Sequence, residues 1–213
     1  MQERPKIIEL RQFLAEKFPH QERRATRAFA TGVESLDTLL SGGLPIGSIS
    51  EVTASQGAGL LLAALLKRVS QTGMFLALVD GSDSFDPASV DASALRRMLL
   101  VSCRSAEKAV HAVDLLLRDG NLPLVVLDLS LNPLSQLRKI PSTTWYRLQR
   151  VVEPTSTAFL VLTSQSIVSS AQVKLEMTGG FSLDDLDQRQ SQLMKKLAVE
   201  TMHVTRERFR PPA

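Results

Sequence analysis

Apolar and polar residues fall along this chain in blocks that predict helices and strands in turn. From 3 to 18 the apolar positions Ile7, Leu10, Leu14 and Phe18 recur at intervals of three and four, the period of one helix face. Pro5 suits the first turn of that helix and Pro19 ends it. The stretch 20–27 is polar and basic and reads as a linker, so 1–29 are expected to stand apart from a core domain over 30–213. A helix tethered in this way docks either on its own domain or on a partner. A short amphipathic helix then ends at Gly42-Gly43, ahead of a strand over 48–53. A helix over 60–70 and a buried strand over 74–79 follow, the strand closing on Asp80. Next come a short helix over 93–98 and a short strand over 99–102. The helix over 105–118 has Ser105 as its N-cap and Gly120 just past its end.

The clearest strand is 122–129, apolar up to Asp128. A helix over 143–152 leads to a last apolar strand over 157–163. Past 165 the pattern changes to strands over 172–177 and 197–206, separated by Gly179-Gly180 and a polar helix over 183–196. Strands alternating with helices through short links predict a mostly parallel twisted sheet flanked by helices. The changed ending predicts antiparallel edge strands.

Composition narrows the class without naming a chemistry. A chain of 213 residues, 44% hydrophobic and only 5% aromatic, suits one α/β domain with an aliphatic core. Charged residues interrupt every apolar run before it reaches membrane-spanning length, and no secretory leader pattern opens the sequence. A cytoplasmic protein without membrane contact is expected. The single cysteine, Cys103, excludes an internal disulfide framework and reads as a small buried residue. His20, His111 and His203 lack ligand spacing, so no metal is expected. Trp145 and Tyr146 read as packing anchors. The formal charge of +3 is unevenly spread, with cations gathered near 4–27 and again at Lys195, Lys196, Arg206, Arg208 and Arg210. Such ends suit a solvated surface or contact with nucleic-acid phosphates.

Candidate chemistry centres on the loop after the strand over 48–53. A phosphate-binding loop reads G-x-x-x-x-G-K-[ST]: its backbone wraps phosphates, its Lys reaches them, and its hydroxyl holds Mg²⁺. In this chain Ala54 replaces the first glycine and Gly59 keeps the second, with Gly57 between them. Leu60 stands at the Lys position and Leu61 at the Ser/Thr position, and with Leu62 they are expected to make the loop mouth apolar. Neither leucine donates a hydrogen bond or carries charge.

Several segments, in order, resemble the RecA-like recombinase core over about 30–165. They are Thr31-Gly32-Val33-Glu34-Ser35-Leu36-Asp37, then Gly42-Gly43-Leu44-Pro45-Ile46-Gly47, Asp80-Gly81-Ser82-Asp83-Ser84-Phe85-Asp86-Pro87, and Val125-Val126-Leu127-Asp128. Within that superfamily the chain is similar to the ImuA family, on its N-terminal helix, Gly-Gly-Leu-Pro, Val-Leu-Asp-Leu and arginine-rich end. The resemblance implies a P-loop α/β fold. It puts Ser82 where the family's water-activating Glu stands, and a serine hydroxyl is too weak a base for that task at neutral pH. It puts Asp128 at the Walker B carboxylate, with no triphosphate left to serve.

The resemblance therefore implies a pseudo-ATPase, without catalytic residues and without cofactor or metal. Its function would be that of a non-catalytic accessory protein of the DNA-damage response, supporting translesion synthesis. The partners implied are RecA, or translesion polymerase subunits of the ImuB kind, met through Ile7, Leu10, Leu14 and Phe18. Self-association is a further possibility of that helix. DNA contact falls to Arg138 and Lys139, in a segment matching the family's first DNA-binding loop, and to Arg206, Arg208 and Arg210. The segment matching the second such loop, 164–171, is short and uncharged. Two alternatives stay open: a division or checkpoint inhibitor like SulA, and a remnant that binds nucleotide weakly through Gly57, Gly59 and the following helix N-terminus.

Overall fold

The computed structural model describes residues 28–204 apart from 55, 180, 183–184, 186–187, 189–191 and 194–195. The expected helix bearing Ile7, Leu10, Leu14 and Phe18, its linker, and Arg206, Arg208 and Arg210 lie outside the described residues. Most of the expected helix over 183–196 does too.

Seven strands make one sheet: β3 (Ser48–Ala54), β4 (Leu76–Asp80), β5 (Met98–Ser102), β6 (Leu124–Asp128), β7 (Ala158–Thr163), β8 (Val173–Gly179) and β9 (Leu197–Val204). Their spatial order is β5-β4-β6-β7-β3-β8-β9. The first six run parallel, and β9 alone lies antiparallel, along β8. This is the mostly parallel sheet with an antiparallel ending that the sequence pattern predicts. A separate two-stranded ribbon, β1 (Ala28–Phe29) with β2 (Leu44–Pro45), stands where the sequence suggested a plain turn. Two-residue strands carry no period, which is why the pattern missed them.

Helices cover both faces of the sheet. On one face α1 (Glu34–Leu39) and α2 (Ala58–Thr72) pack Leu36, Leu61, Leu65, Leu66 and Val69 onto Leu76, Leu78, Val126, Leu160 and Leu175. On the other, α4 (Ala106–Asp119) and α6 (Ser142–Val152) pack Val113, Leu117, Trp145, Leu148 and Val152 onto Ala77, Val79, Val125, Leu127, Phe159 and Val161. Successive strand residues belong to opposite faces, so burial on both sides explains the unbroken apolar runs. Two one-turn helices, α3 (Ala92–Leu95) and α5 (Leu134–Leu137), complete the set. α5 lies inside the stretch that sequence read as a loop, seating Leu137 in the core.

Local signals set the helix ends. The Ser105 hydroxyl accepts from the Lys108 N–H, and Gly120 adopts φ 68° just past α4. Gln149, on α6, accepts from the Ile49 N–H at 3.1 Å and donates to the Gly47 carbonyl at 3.3 Å, fixing the start of β3 against the helix. In the Thr31-to-Asp37 segment, the Asp37 carboxylate accepts from the Thr31 N–H, the Thr31 hydroxyl and the Gly32 N–H, which ties the approach to the sheet to α1. Trp145 is 1% exposed and is the packing anchor expected of it; Tyr146, one position on, is 55% exposed and is not. The helix turn points Trp145 at the sheet and leaves Tyr146 on the outer face. Cys103 is buried, as expected. No helix among the described residues is long and apolar enough to cross a membrane.

Four buried side-chain polar atoms among the described residues lack a hydrogen-bond partner, and one of them lies within the sheet. The Ser50 hydroxyl is fully buried on β3, between Leu160 and Val173, and meets no hydrogen-bond partner. An orphaned buried hydroxyl costs about 1–3 kcal/mol. Ser50→Ala is therefore expected to raise stability by about 1 kcal/mol, read as a higher urea midpoint at unchanged slope, with Trp145 fluorescence as the probe.

Candidate functional site

Ligands of open α/β sheets bind outside the carboxyl ends of the strands, where the strand order reverses. The sequence-singled residues gather at that end: Ala54 closes β3, Gly57 and Gly59 open α2, Ser82 follows β4 and Asp128 closes β6. β7 lies between β6 and β3, so Asp128 and the loop stand two strand spacings apart, about 10 Å. The geometry of a nucleotide site is thus kept in outline.

Its contents are different. Gly57, at φ 88°, forms the N-cap of α2 without any side-chain cap. The Leu61 N–H is already taken by the Gly57 carbonyl at 3.1 Å. The first turn, Ala58-Gly59-Leu60-Leu61, offers no hydroxyl, cation or carboxylate. Leu61 and Leu62 are 2% and 5% exposed and sit in the core, and Leu60 is half-buried against it. The leucines therefore do not line the loop mouth, as sequence suggested, but sink beneath it. A helix that turns an apolar face to the sheet carries these positions down with it.

The two strand-end carboxylates are occupied by their own loops. Asp80 and Asp128 stand opposite each other in register on neighbouring strands. Asp80, 1% exposed, accepts from the N–H groups of Ser82, Ser84 and Phe85 at 3.0, 2.6 and 2.6 Å, and from the Ser82 hydroxyl at 3.3 Å. Ser82, at the family's catalytic Glu position, is thereby folded back on Asp80 and meets the Ser84 hydroxyl at 2.9 Å. Asp128 accepts from the Ser130 N–H at 2.9 Å and the Ser130 hydroxyl at 2.6 Å. Burial pushes its carboxyl above the usual carboxylate range, and the nearby Asp80 charge adds to the rise against the lowering by Ser130. Gly81 follows Asp80, donates its N–H to the Asp128 carbonyl at 2.9 Å and lies against Asn132. A Cβ there would stand 2.5 Å from Asn132 Oδ1 and 2.7 Å from Leu129 Cδ2, so a larger residue would have to displace those side chains. Asn132, 5% exposed, donates to the Gly81 carbonyl and to Gln136 Oε1, and that oxygen also accepts from the Ala106 N–H at the start of α4.

Sequence reasoning passed over Glu51, the most buried carboxylate near the site. It lies on β3 at 0% exposure, three residues before Ala54. It accepts from the N–H groups of Ile167 and Val168 at 2.7 and 3.0 Å, from the Ser166 hydroxyl at 2.9 Å, and from the Thr163 hydroxyl at 3.4 Å. Lys174 Nζ stands 3.2 Å away. The uncharged loop after β7 is therefore pinned from below. A carboxylate within an otherwise apolar buried strand, with a lysine in the neighbouring strand, was the available signal.

Arg138 and Lys139 follow α5 and are both exposed, with no ion pair among the described residues. They sit on the surface, not beside Asp80 and Asp128 in the interior of the site. Among the described residues no three His, Cys, Asp or Glu come together as metal ligands.

No protein-family model matches the chain. Curated relatives do. The chain is 30% identical over 110 residues to protein RecA of Nostoc sp., a match covering 50% of this chain and 31% of that protein. It is 32% identical over 104 residues to DNA repair protein recA homolog 1, chloroplastic, of Arabidopsis thaliana, covering 47% and 24%. Protein RecA of Chlorobium chlorochromatii is 34% identical over 110 residues, covering 48% and 30%. The chain is thus distantly similar to RecA proteins over about half of its length. The chain spans about a third or less of the length of these relatives. The likeness supports a RecA-like superfamily, in keeping with the sheet described above.

Two substitutions test the site's electrostatics. A carboxyl whose folded pKa is raised stabilises the fold fully below its unfolded value, about 3.9, and that contribution is lost as pH rises through the folded value. Asp128→Asn keeps the oxygen that Ser130 binds but never ionises. Its melting temperature is expected to match the parent near pH 3 and to exceed it increasingly as pH rises to 7. Glu51→Gln can keep an oxygen on the Ile167 and Val168 N–H groups, but it turns an amide NH₂ toward the Lys174 ammonium and removes that cation's carboxylate. It is expected to lower stability by about 3 kcal/mol by chemical denaturation and to raise hydrogen exchange at Ile167 and Val168.

Proposed function

We propose that this protein is a non-catalytic RecA-like adaptor of the DNA-damage response, supporting damage-induced translesion synthesis through protein contacts as ImuA-like proteins do. The observation that carries the reading is the internal occupation of the site. Leu61 is a core residue, Asp80 holds Ser82, Ser84 and Phe85, and Asp128 holds Ser130. Phosphoryl transfer rests on positioning and charge stabilisation by a cradle, a metal and a water-orienting group. Leu60 and Leu61 stand at the Lys and Ser/Thr positions and Ser82 at the water-activating position, which supports the reading of a fold retained for its surfaces. The distant relationship to RecA proteins and to a DNA repair protein supports the setting. On this reading the partners are RecA or polymerase subunits of the ImuB kind, reached through Ile7, Leu10, Leu14 and Phe18. Arg138, Lys139, Arg206, Arg208 and Arg210 supply weak contact with DNA.

Two measurements check the proposal. Calorimetric titration with Mg·ATP is expected to give no binding heat at millimolar nucleotide; micromolar binding would overturn the pseudo-ATPase reading. A tagged pull-down from cells treated with a DNA-damaging agent is expected to recover RecA or a translesion polymerase subunit, and to lose it when Ile7, Leu10 and Leu14 are replaced by aspartate. Recovery of division proteins without replication partners would discard the adaptor reading for that of a division inhibitor.

A further inference from the structure

α4 and α6 pack against each other on one face of the sheet, with a single carboxylate in the seam between them. Asp114 is buried there, and two guanidiniums reach it, one from each helix. Arg118, one turn on along α4, donates to it through Nε at 2.9 Å and Nη2 at 3.4 Å. Arg147, on α6, stands at 3.6 Å, and no hydrogen bond among the described residues engages its N–H donors. Both arginine side chains are more than half exposed, at 55% and 56%. One buried carboxylate thus keeps two cations at the seam, with a positive charge to spare. Arg150 lies three residues beyond Arg147, exposed and without an ion pair among the described residues. Positions three and four apart share a helix face. Thr143, Tyr146, Arg147 and Arg150 therefore form one exposed stripe on α6, and His111, Leu115 and Arg118 form another on α4. Leu115 is 58% exposed.

Charge decides what fits this seam. Between Asp128 and Glu153 the chain carries Arg138, Lys139, Arg147 and Arg150 and no carboxylate. Between Glu107 and Asp119 its one carboxylate is Asp114. A second copy laid face to face would set guanidinium against guanidinium, which opposes the contact. Nucleic acid asks for a row of cations that tracks its backbone. Arg118 and Arg147 instead share one aspartate, and Arg150 lies within a turn of Arg147, so the cations crowd into a spot. Leu115, three residues from Arg118, adds aliphatic surface that gives a base nothing to stack on. We propose that the α4–α6 seam binds an acidic amphipathic segment of a partner protein. Two of its carboxylates, one helical turn apart, take the open donors of Arg147 and Arg150, in the paired N–H geometry that a guanidinium offers. Packed helix axes stand about 8–10 Å apart, so a segment laid across both meets Leu115 on one and Tyr146 on the other. The seam is independent of how the loop after β3 is read, since a nucleotide-binding chain with these helices would present it equally.

The test uses the full chain and three labelled helical peptides of one leucine-bearing design. They carry two glutamates, two glutamines or two lysines a turn apart. Fluorescence polarisation is expected to show the glutamate peptide binding at least about tenfold more tightly than the glutamine one, the ratio given by about 1.4 kcal/mol. That preference should shrink as salt is raised. Arg150→Glu removes a cation without an ion pair among the described residues, so the melting temperature should hold. In that variant the preference for glutamate over lysine should fall at least about tenfold. Leu115→Ser, at an exposed position, should weaken the glutamate peptide about threefold or more, so the idea stands or falls even if the arginine variant misfolds. Equal affinity for the glutamate and glutamine peptides, no binding of any peptide at millimolar concentration, or indifference to Arg150→Glu in a folded chain overturns the proposal. A labelled oligothymidylate that binds more tightly than the glutamate peptide, and is weakened by Arg150→Glu, would assign the seam to nucleic acid and overturn it too.

Discussion

The described fold is arranged around four central parallel strands that water barely reaches on either face. β3, β4, β6 and β7 are buried along almost their whole length, and their residues divide between two cores, one under α2 and one under α4 and α6. Such a sheet leaves its strand backbones no solvent to fall back on, so polar groups where it ends must find partners within the protein. The loops at the carboxyl ends serve that need. Asp80, Asp128 and Glu51 each collect N–H and hydroxyl donors from the segments that leave the sheet beside them. Their satisfaction shapes the loops, and the loops define the surface.

That requirement explains how carboxylates standing where a nucleotide site is outlined come to be held by their own loops. A carboxylate waiting for a metal must keep lone pairs free and pay for its own desolvation. Asp80 keeps few free, because Ser82, Ser84 and Phe85 have been drawn in, whereas at Asp128 both Ser130 contacts fall on Oδ1. Asp128 still bears the mark of its surroundings in a raised carboxyl pKa, and Asp80 beside it is among the causes. Two carboxylates in register on adjacent strands strain against each other unless donors or a cation stand between. In this chain each is met by donors of its own loop, and Asn132 packs against Gly81.

The strands were legible because burial on both faces writes itself as runs such as Leu-Val-Val-Leu, and the helices because α4 and α6 each bury one stripe. β1, β2 and α5 were not, since two to four residues show no period. At the site, the loss of Lys and Ser/Thr at Leu60 and Leu61 was plain, but where those leucines go was not. Sequence spacing says which positions share a helix face; it does not say which face the sheet takes, and the sheet takes Leu61. Glu51 escaped notice because its partners at 163–168 lie more than a hundred residues away in the chain. Tyr146 was misread for a related reason: adjacent aromatic residues on a helix point about 100° apart, so only one of Trp145 and Tyr146 could be core.

The position of Leu61 ties function to stability. At the matching place a phosphate-binding loop needs a hydroxyl turned up toward a metal, whereas here the side chain is turned down among Leu62, Leu65 and Leu66. A hydroxyl in that setting would lie buried without a partner, at a cost of about 1–3 kcal/mol, and the missing methyl groups would leave a void besides. The apolar loop and the packed core beneath it are one structure: the side chain that cannot hold a metal also closes the hydrophobic layer under α2. A hydroxyl at position 61 could be turned up toward the loop only if the start of α2 moved with it.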